Sequence, residues 1–358
     1  MNDVLIAGSG PTGLTLACEL ALRGVSVRVL DQRPGPHRES RGKLLAPTSL
    51  EVFARLGIAE RISAIGTHGV VLRKYFDGAH ITDTPTDAGV LIAQWQIEQV
   101  LRERLAGLGV EVEHDAQVVG IDQDAGGVTV RLAGGHSARA GYLAGCDGGR
   151  STTRRLLGIP FEGHTEEAPT MVIGDVRAPG LSRAFWHQWF TSEGGAMMLC
   201  PMPQTDVFQL QASPELDEAG RAQAPTLEGF QRLFDRHARV QGIRLADPTW
   251  MSTWRVNVRM AARMREGRVF LAGDAAHVHP IAGGLGMNTG ILDAAALGRA
   301  LAGALAGQGG AETLDALDAY EAERLPAAAA LLADSTERHH RVLAAVREPG
   351  RGTEAGLG

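Results

Sequence analysis

The N-terminal segment carries the pattern that most constrains the fold. An apolar stretch, DVLIA, leads into the turn GSGPTG, and Leu and Ala then recur at helical spacing. A second apolar stretch, VSVRVL, follows and ends at Asp31. The turn contributes three glycines spaced as in dinucleotide-binding proteins: Gly8, Gly10 and Gly13. This order of strand, turn, helix and strand predicts a doubly wound, Rossmann-type α/β sheet, in which the helix faces a pyrophosphate and the acid bonds a ribose hydroxyl.

The residue at the end of the second strand indicates which dinucleotide binds. An acid at this point suits an unphosphorylated ribose, whereas a 2′-phosphate needs an Arg nearby. Asp31 therefore favours FAD or NAD over NADP at this site. We expect four neighbours to contribute to the same cofactor site: Pro11, Thr12, Gln32 and Arg33.

A second glycine-rich stretch, GRVFLAGDAAHVHPIAGGLGMNTG, begins at Gly267. The run 269–273 is short and apolar, as expected of a buried parallel strand, and Asp274 follows where ligands bind in open α/β sheets. A helical pattern begins at Met287 and would direct free N–H groups at an anionic or electron-accepting group. A strand-to-helix turn with an Asp cap is the alternative. The loop between them contains Pro280, Gly283, Gly284 and Gly286.

Residues 110–149 read as consecutive strands, which breaks the strict alternation of strands and helices. We therefore expect a β-meander inserted into the doubly wound sheet. Its last strand ends at Asp147-Gly148, a second acid beside glycine at a strand end. Two interpretations stay open: this acid faces the pyrophosphate or a nicotinamide, or it caps the helix that opens at Ser151.

A second domain follows Gly163. Residues 170–213 alternate as strands do, and a helix follows from Thr226. One face of this sheet could cover a flat apolar ligand, and plain core packing is the alternative for its aromatic residues. Four aromatics are crowded into one strand: Phe185, Trp186, Trp189 and Phe190.

The predicted fold is thus α/β, with a Rossmann-type domain that carries an inserted meander and a smaller α+β substrate domain with a mixed sheet. We assign 1–68, 93–165 and 262–346 to the first domain, 69–92 and 166–261 to the second, and 347–358 to a flexible tail. We also expect an N-cap at Thr48 and a helix break at Pro326. Gln94 and Glu98, at a helix start, could contact a cofactor or cap the helix, and the sequence favours capping.

Composition excludes several classes of function. A formal charge of -6 argues against a nucleic-acid partner, which requires a basic face. Three widely spaced cysteines form no metal-ligand cluster, and no nucleophile–base pair or carboxylate dyad is evident. The difficult chemistry is therefore expected to belong to a cofactor. No signal peptide and no apolar stretch of about 20 residues is evident, so we expect a soluble, cytoplasmic protein without a membrane span.

Several motifs together resemble one family. They are GSGPTG with its acid, SRGK from Ser40, QWQIE from Gln94, CDGGRSTTRRLLGIPFEG from Cys146, and GRVFLAGDAAHVHP with GGLGMNTGILDA. In this order they resemble the single-component, FAD-dependent aromatic hydroxylases built like p-hydroxybenzoate hydroxylase. The resemblance covers roughly residues 1–345 and is strongest to the actinobacterial enzymes that hydroxylate polyketides and phenols.

The resemblance implies roles for further residues. Arg41 and Gln94 are similar to the flavin-contacting Arg and Gln of the family, and Val118 to its backbone contact with adenine. Asp147-Gly148 resembles the motif shared by FAD and the nicotinamide cofactor. Gly273-Asp274 resembles the motif on the ribityl side. The helix start beneath the isoalloxazine ring is represented by Gly286, Met287 and Asn288.

The same resemblance implies a reaction. NAD(P)H docks transiently and reduces FAD, O2 adds at C4a, and the resulting hydroperoxide transfers a hydroxyl group to an electron-rich, phenolic or polyketide-type ring. No side chain is expected to act as an indispensable catalytic base, and His187, His277 and His279 are the residues that test this. The choice between NADH and NADPH, and between monomer and homodimer, stays open.

Two alternatives follow from departures in the flavin loop. Many relatives have Pro where this chain has Ile281 and Gln where it has Leu285. One alternative is a Baeyer–Villiger or epoxidising monooxygenase that acts on a polyketide. The other is an FAD-binding oxidoreductase that has lost oxygenation.

Overall fold

The computed structural model describes residues 2–39, 42–86, 89–165, 171–279, 285–307 and 311–347. Two large sheets and eight helices account for most of these residues. The predicted flexible tail lies outside the described residues from position 348 onward.

The strands are short, and most are apolar on at least one face. In chain order they are β1 (Asn2–Ala7), β2 (Val27–Leu30), β3 (Leu44–Leu45), β4 (Val71–Phe76), β5 (Ala79–Pro85), β6 (Val90–Leu91), β7 (Val112–Glu113), β8 (Val118–Asp124), β9 (Gly127–Leu132), β10 (Ser137–Gly145), β11 (Phe161–Thr165), β12 (Met171–Arg177), β13 (Phe185–Phe190), β14 (Ala196–Pro201), β15 (Val207–Ala212), β16 (Ala246–Trp254), β17 (Asn257–Ala261), β18 (Arg265–Glu266), β19 (Val269–Leu271) and β20 (His277–Val278).

The helices are mainly contributed by the first and last parts of the chain. They are α1 (Pro11–Ala21), α2 (Pro47–Arg55), α3 (Ala59–Ile65), α4 (Gln94–Gly107), α5 (Thr152–Leu156), α6 (Leu227–Ala238), α7 (Leu285–Ala306) and α8 (Ala311–Arg347).

The first sheet is the doubly wound sheet that the sequence predicted. Its order is β18-β19-β10-β1-β2-β7, and the pairs among β19, β10, β1, β2 and β7 are parallel. Strand β9 pairs antiparallel with β10, and β8 pairs antiparallel with β9, which confirms the inserted meander.

Both faces of this sheet are covered, as a parallel sheet requires. Val4 and Ile6 of β1 point into a core shared with α1, α4 and α7. Leu5, between them, points into the core beneath the meander. All three side chains are fully buried because successive residues of a strand face opposite sides.

The second large sheet is mixed, again as predicted. Its order is β16-β12-β15-β14-β13-β4-β5, in which β13 and β4 are parallel and the other pairs are antiparallel. Helix α6 packs on one face, where Phe234 meets Trp189 edge to face at 5.8 Å between ring centroids. Thr226 caps this helix by accepting a hydrogen bond from the Gly229 N–H.

Two small sheets join the large ones. Strand β17 pairs with β11 and β20, and β3 pairs with β6. Each small sheet contains a strand that the sequence assigned to the substrate domain, β17 in one and β6 in the other. Each of these strands pairs with a segment of the first domain. We therefore propose domain boundaries near residues 255 and 89, which leaves 257–261 and 90–92 with the first domain.

Four local predictions were wrong. Helix α2 begins at Pro47 with Ala46 as its N-cap, because Pro fits the first helical position, so Thr48 is not the cap. Pro326 lies inside α8, which continues through it. Proline removes only one helical hydrogen bond, and Tyr320 and Ala328, on either side, are buried against the protein.

The third correction concerns the start of α4. The Gln96 side-chain oxygen accepts from the Ala93 N–H at 3.0 Å, so the capping residue is Gln96 and not Gln94 or Glu98.

The fourth correction concerns apolar length. Helix α7 has 22 residues and contains an apolar window of 18 residues with a mean hydropathy of 1.2. By length and composition it could therefore cross a membrane. It is a core helix instead, since 67% of that apolar window is buried inside the protein.

Phe234 tests how far α6 stabilises the second sheet. The ring is fully buried, so Phe234→Ala should lower the free energy of unfolding by about 3–5 kcal/mol, through lost burial and the resulting cavity. Leu216 is 59% exposed, so Leu216→Ala should change the free energy of unfolding by no more than about 0.5 kcal/mol. Urea unfolding followed by circular dichroism measures both. Similar losses in the two variants would contradict this role for α6.

Candidate active site

The carboxyl ends of four parallel strands meet at one edge of the first sheet. Ala7 of β1 lies opposite both Leu30 of β2 and Gly145 of β10, and Gly145 lies opposite Leu271 of β19. The residues that follow these strand ends are therefore close together, at the edge where ligands bind in such sheets. This edge brings together the predicted residues Gly8, Asp31, Asp147 and Gly273.

Each of the first three glycines has a different environment. Gly8 has a φ of +104°, and a Cβ added to it would lie 2.3 Å from the Cys146 carbonyl oxygen. A Cβ on Gly13 would lie 2.0 Å from the Gly8 carbonyl oxygen. For Gly10, no atom of the described residues lies within 4 Å of the position that its Cβ would take. Gly8 and Gly13 are thus required by the fold, whereas the space at Gly10 suits the close approach of a ligand.

The start of α1 faces this open space. Gly10 is the N-cap and Pro11 the first helical residue, and no side chain caps the helix. The first N–H groups of a helix have no partner within the helix, so an uncapped start suits an anion such as a pyrophosphate. Thr12 has a packing role. A Cβ added to Gly273 or to Gly290 would lie 2.5 or 2.4 Å from the Thr12 Oγ1 atom.

The Asp31 carboxylate is held rigidly. Its Oδ2 accepts hydrogen bonds from the Ser9 N–H at 2.8 Å and the Ser9 hydroxyl at 2.6 Å, and its Oδ1 accepts one from the Arg33 N–H at 2.9 Å. Gln32 and Arg33 are exposed. Segment 115–116 is hydrogen-bonded to this turn, which brings the start of β8, with Val118, beside Asp31. The Val118 side chain is buried in the core, so only its backbone could contact adenine.

Asp147 is engaged at the start of α5. Its carboxylate accepts hydrogen bonds from the Ser151 hydroxyl at 2.5 Å, the Thr153 N–H at 2.9 Å and the Thr153 hydroxyl at 3.0 Å. These contacts favour the capping interpretation for the side chain. Gly148 follows with a φ of +78° and open space beside its Cα, so a cofactor contact there would involve the backbone.

Three segments converge at the predicted flavin ring. The Gln94 side-chain oxygen accepts from the Gly42 N–H at 3.3 Å, and its amide donates to Glu98 at 2.9 Å. A Cβ added to Gly42 would lie 3.1 Å from the Met287 sulfur. The loop after β2, the start of α4 and the start of α7 therefore share one site. Burial raises the pKa of Glu98.

Asn288 anchors this arrangement from the first turn of α7. Its side-chain oxygen accepts from the Ala46 N–H and the Ser49 hydroxyl, each at 2.8 Å, and its amide donates to the Leu44 carbonyl at 3.0 Å. The side chain thus fixes the loop that contains Gly42, and a contact of residue 288 with the ring would fall to its backbone. Among the described residues, only a carbon of His279 lies within 4.0 Å of the position that a Gly286 Cβ would take.

Of the remaining predicted residues, one lies at the edge of the sheet and four lie outside the described part of the chain. Asp274 is exposed at the edge of the sheet, in the 3-10 helix Gly273–Ala275. The strand before this helix ends at Leu271, two residues earlier than predicted. Four residues lie outside the described part of the chain: Arg41, Pro280, Gly283 and Gly284.

A buried charged group behind the site was missed by the sequence analysis. Asp293 of α7 is bonded to His277 at 2.6 Å and accepts from Arg324 at 2.8 Å and from the Gly273 N–H at 3.0 Å. Burial opposes both charges, but the contact outweighs it, raising the pKa of His277 and lowering that of Asp293. The available signal was an aspartate within an otherwise apolar helix, which needs a partner when buried.

His279 extends this group toward the start of α7. Its Nε2 lies 3.1 Å from the His277 Nδ1, and burial together with the adjacent His277 lowers its pKa to about 4. A protonated His277 donates from its Nδ1 to the His279 Nε2, which must therefore be an acceptor. The proton of neutral His279 is accordingly assigned to the Nδ1 of His279. Among the described residues this buried N–H has no partner.

These features fit FAD. An uncapped helix start beside open space suits the pyrophosphate, and Asp31 suits the adjacent ribose. The Met287 and His279 side chains border the start of α7, where a buried donor without a described partner would suit a polar atom of the ring.

Gly10 and Gly13 separate folding from cofactor binding. Gly13→Ala places a methyl group against backbone and should lower the free energy of unfolding by at least about 3 kcal/mol. Gly10→Ala should cost no more than about 1 kcal/mol, yet weaken FAD binding at least about tenfold by filling the open space. Urea unfolding and FAD titration measure the two effects. Wild-type FAD affinity in Gly10→Ala would contradict the assigned pyrophosphate position.

His279 should make the protein less stable in mild acid. The folded-state pKa is lower than the unfolded one, so the associated stability is present above about pH 6.5 and is lost as pH falls toward 4. At pH 5 the loss should be about 2 kcal/mol. In His279→Gln the difference in unfolding free energy between pH 7.5 and pH 5 should shrink by about that amount, measured by urea unfolding. An unchanged difference would contradict a neutral, buried His279.

Comparisons with known proteins agree with this geometry. The family model described as FAD binding domain matches residues 1–335. A flavin-dependent monooxygenase of Mycobacteroides abscessus is 42% identical over 97% of this chain and 76% of its own length. A rifampicin monooxygenase of Streptomyces venezuelae is 38% identical over 98% of this chain and 73% of its own.

Solved structures extend the comparison. A complex of aklavinone-11 hydroxylase with FAD and aklavinone matches with a TM-score of 0.80 and 30% identity, over 95% of this chain and 69% of the other. The Diels-Alderase PyrE3 matches with a TM-score of 0.76 and 32% identity, over 95% and 73% of the two chains. The chain therefore belongs to the FAD-binding family that includes these flavin-dependent monooxygenases.

Proposed function

We propose that this chain is an FAD-dependent monooxygenase that uses NAD(P)H and O2 to hydroxylate a small aromatic substrate of phenolic or polyketide type. The observation that carries the proposal is the convergence of three distant segments, around Gly42, Gln94 and Met287. Thr12 joins the start of α1 to the same helix, α7, through its contact with Gly290. Relatives that are 33–38% identical to this chain are named as monooxygenases of rifampicin, anhydrotetracycline and pentachlorophenol.

The chain's contribution is to bind and orient the cofactor. The start of α1 and Asp31 would hold the pyrophosphate and ribose, and the start of α7 would lie beneath the ring. FAD supplies the acceptor for hydride from NAD(P)H and the activation of O2. The partial positive charge at the start of α7 should favour negative charge on the reduced ring by about 0.3–2 kcal/mol. The described residues contain a single glycine-rich fingerprint, which supports transient docking of NAD(P)H.

No side chain is assigned the role of an indispensable base. His187 lies on the α6 side of the second sheet, where its ring is nearly parallel to those of Tyr75 and Trp189. Its two ring nitrogens are bonded to the Tyr75 hydroxyl and the Ser182 carbonyl. His277 is paired with Asp293. Shape, electrostatics and the exclusion of water by the second sheet would then support the cofactor's chemistry.

We further propose a cytoplasmic protein that acts without a nucleic-acid or membrane partner. The net charge of -6 disfavours a polyanionic partner. The helix that meets the length and hydropathy of a membrane span is mostly buried in the core.

A second candidate function is supported by the comparisons. A dialkyldecalin synthase of Streptomyces rugosporus is 35% identical over 92% of this chain, and the Diels-Alderase PyrE3 shares its fold. These names show that relatives of this fold are not all named for oxygenation. An FAD-binding protein that does not oxygenate its substrate is therefore the alternative.

Oxygen consumption distinguishes the two functions. The purified protein should be yellow, and a panel of phenols and polyketide aromatics should contain a compound that stimulates NAD(P)H oxidation and O2 uptake in equal amounts. Its product should gain one oxygen atom, placed on the ring by NMR. Insertion next to a carbonyl would indicate Baeyer–Villiger chemistry. Conversion without O2 uptake would reject monooxygenation.

His187 and His279 test the absence of a catalytic base. Loss of a general base typically costs about 10²–10⁴ in rate, whereas His187→Gln and His279→Gln should each retain the hydroxylation rate to within about tenfold. Rates are compared per mole of bound FAD, with flavin reduction followed separately. Loss of hydroxylation while reduction persists in either variant would overturn the proposal.

A further inference from the structure

A row of polar and aromatic side chains crosses the second sheet on the face opposite α6. Register places Trp250 opposite Asp175, Asp175 opposite Gln209, and Gln209 opposite Cys200. Paired residues of neighbouring strands share a face. Trp186 of β13 belongs to this face too, because its neighbour His187 points to the α6 side.

Lys43 reaches this row from the first domain. The residue lies in the loop before β3, and its ammonium donates to the Gln209 side-chain oxygen at 2.8 Å. The ammonium also lies 4.7 Å from the centre of the Trp186 ring. Lys43 is only 8% exposed, so two segments far apart in sequence enclose a buried cation. A buried ammonium is costly unless charged or polar groups surround it.

The charge on Lys43 is balanced incompletely. Burial lowers the pKa of Lys43 and raises that of Asp175 to about 6. Cys200 does not supply the missing charge, since burial raises its pKa to about 12 and keeps it a thiol. Asp175 is thus the acid of this row, and it is 4% exposed.

Two buried polar atoms in this row have no partner among the described residues. They are the Asp175 Oδ1 and the Trp186 indole N–H. The Trp250 indole faces Asp175 from the neighbouring strand and favours the charged form of its carboxyl, so it is not counted among them. The Lys43 ammonium, with three N–H donors, makes one hydrogen bond within the same part of the chain. Buried polar groups normally find a partner, so a row with one free acceptor and several free donors points to a ligand.

The row lies next to the predicted flavin ring. Lys43 follows Gly42 directly, and Gly42 contacts Gln94 and Met287. Adjacent Cα atoms are about 3.8 Å apart, so Lys43 begins close to the predicted flavin ring. A planar molecule between this ring and the second sheet would contact both the ring and the row. Resting on the proposed function, we propose that Lys43, Asp175 and Trp186 form a specificity site for an aromatic substrate with a phenolic or enolic hydroxyl beside a carbonyl.

The hydroxyl of such a substrate matches the free acceptor of the row, and its carbonyl oxygen matches the free donors. On binding, the hydroxyl exchanges its internal hydrogen bond to the carbonyl for one to the Asp175 Oδ1. The carbonyl oxygen then accepts from the Lys43 ammonium or the Trp186 indole N–H. A ring that lacks the hydroxyl leaves the buried carboxylate oxygen without a partner, which weakens binding. The site therefore selects the oxygenated end of the substrate and sets which ring carbon faces the cofactor.

Two matched probes test this selection. They are acetonaphthone and the hydroxyacetonaphthone whose hydroxyl is ortho to the acetyl group, and each is titrated against the FAD-loaded protein through the flavin spectrum. The wild type should bind the hydroxylated probe about 10- to 100-fold more tightly. Lys43→Met and Asp175→Asn should reduce this ratio to about 1 without changing the FAD content.

Three further variants separate recognition from packing. Arg73→Met, on the opposite face of the same sheet, should keep the wild-type ratio. Lys43→Arg retains the cation and should restore part of the selectivity. Trp186→Phe retains the ring but not the N–H, so it should lower the ratio by a few-fold even if the buried-charge variants fold poorly.

The outcomes distinguish this inference from the proposed function. Equal binding of the probes by the wild type, no binding of either, or an unchanged ratio in Lys43→Met and Trp186→Phe would overturn the specificity site. Selective binding that is lost in those variants, in a protein that never consumes O2, would support the site while rejecting monooxygenation.

Discussion

The close approach of backbone segments at the edge of the first sheet is the constraint on which the rest of the structure depends. Gly8 lies against the Cys146 carbonyl, and Gly13 lies against Gly8. On the other side, Thr12 fits between Gly273 and Gly290, which joins α1 to the start of α7. Side chains at these positions would separate three strands from two helices. The same contacts that close the core therefore also shape the space in which a dinucleotide would lie.

Much of the fold could be predicted from the sequence because its signals are local. The glycine turn, the alternating strands of 110–149 and the aromatic strand β13 each depend on neighbours in the chain, and the structure confirms both sheets. What could not be predicted depends on contacts distant in sequence. Pro326 stays helical because of burial on both sides, and the pairing of β17 with β11 and β20 gives no local pattern.

The site shows the same division. The glycines and Asp31 are marked by their spacing, whereas the Asp293 group and the row at Lys43 combine residues far apart in sequence. A single lysine in a polar loop carries no sign that it will be buried. Asp147 and Asn288 show a further limit, because a motif identifies the residue but not whether its side chain or its backbone faces the ligand. Both side chains are engaged in contacts within the protein.

The parallel pair of β4 and β13 has a consequence for how this protein forms. The two strands are separated by about 110 residues, and that interval contains α4 and the whole meander. During synthesis the β4–β5 hairpin emerges long before its partner, with one edge of hydrogen-bonding groups still unpaired. The second sheet is thus completed only after the central strands of the first sheet have been made, and pairing over so long an interval slows folding. Until β13 arrives, the exposed edge of β4 is a part of the nascent chain that is open to aggregation.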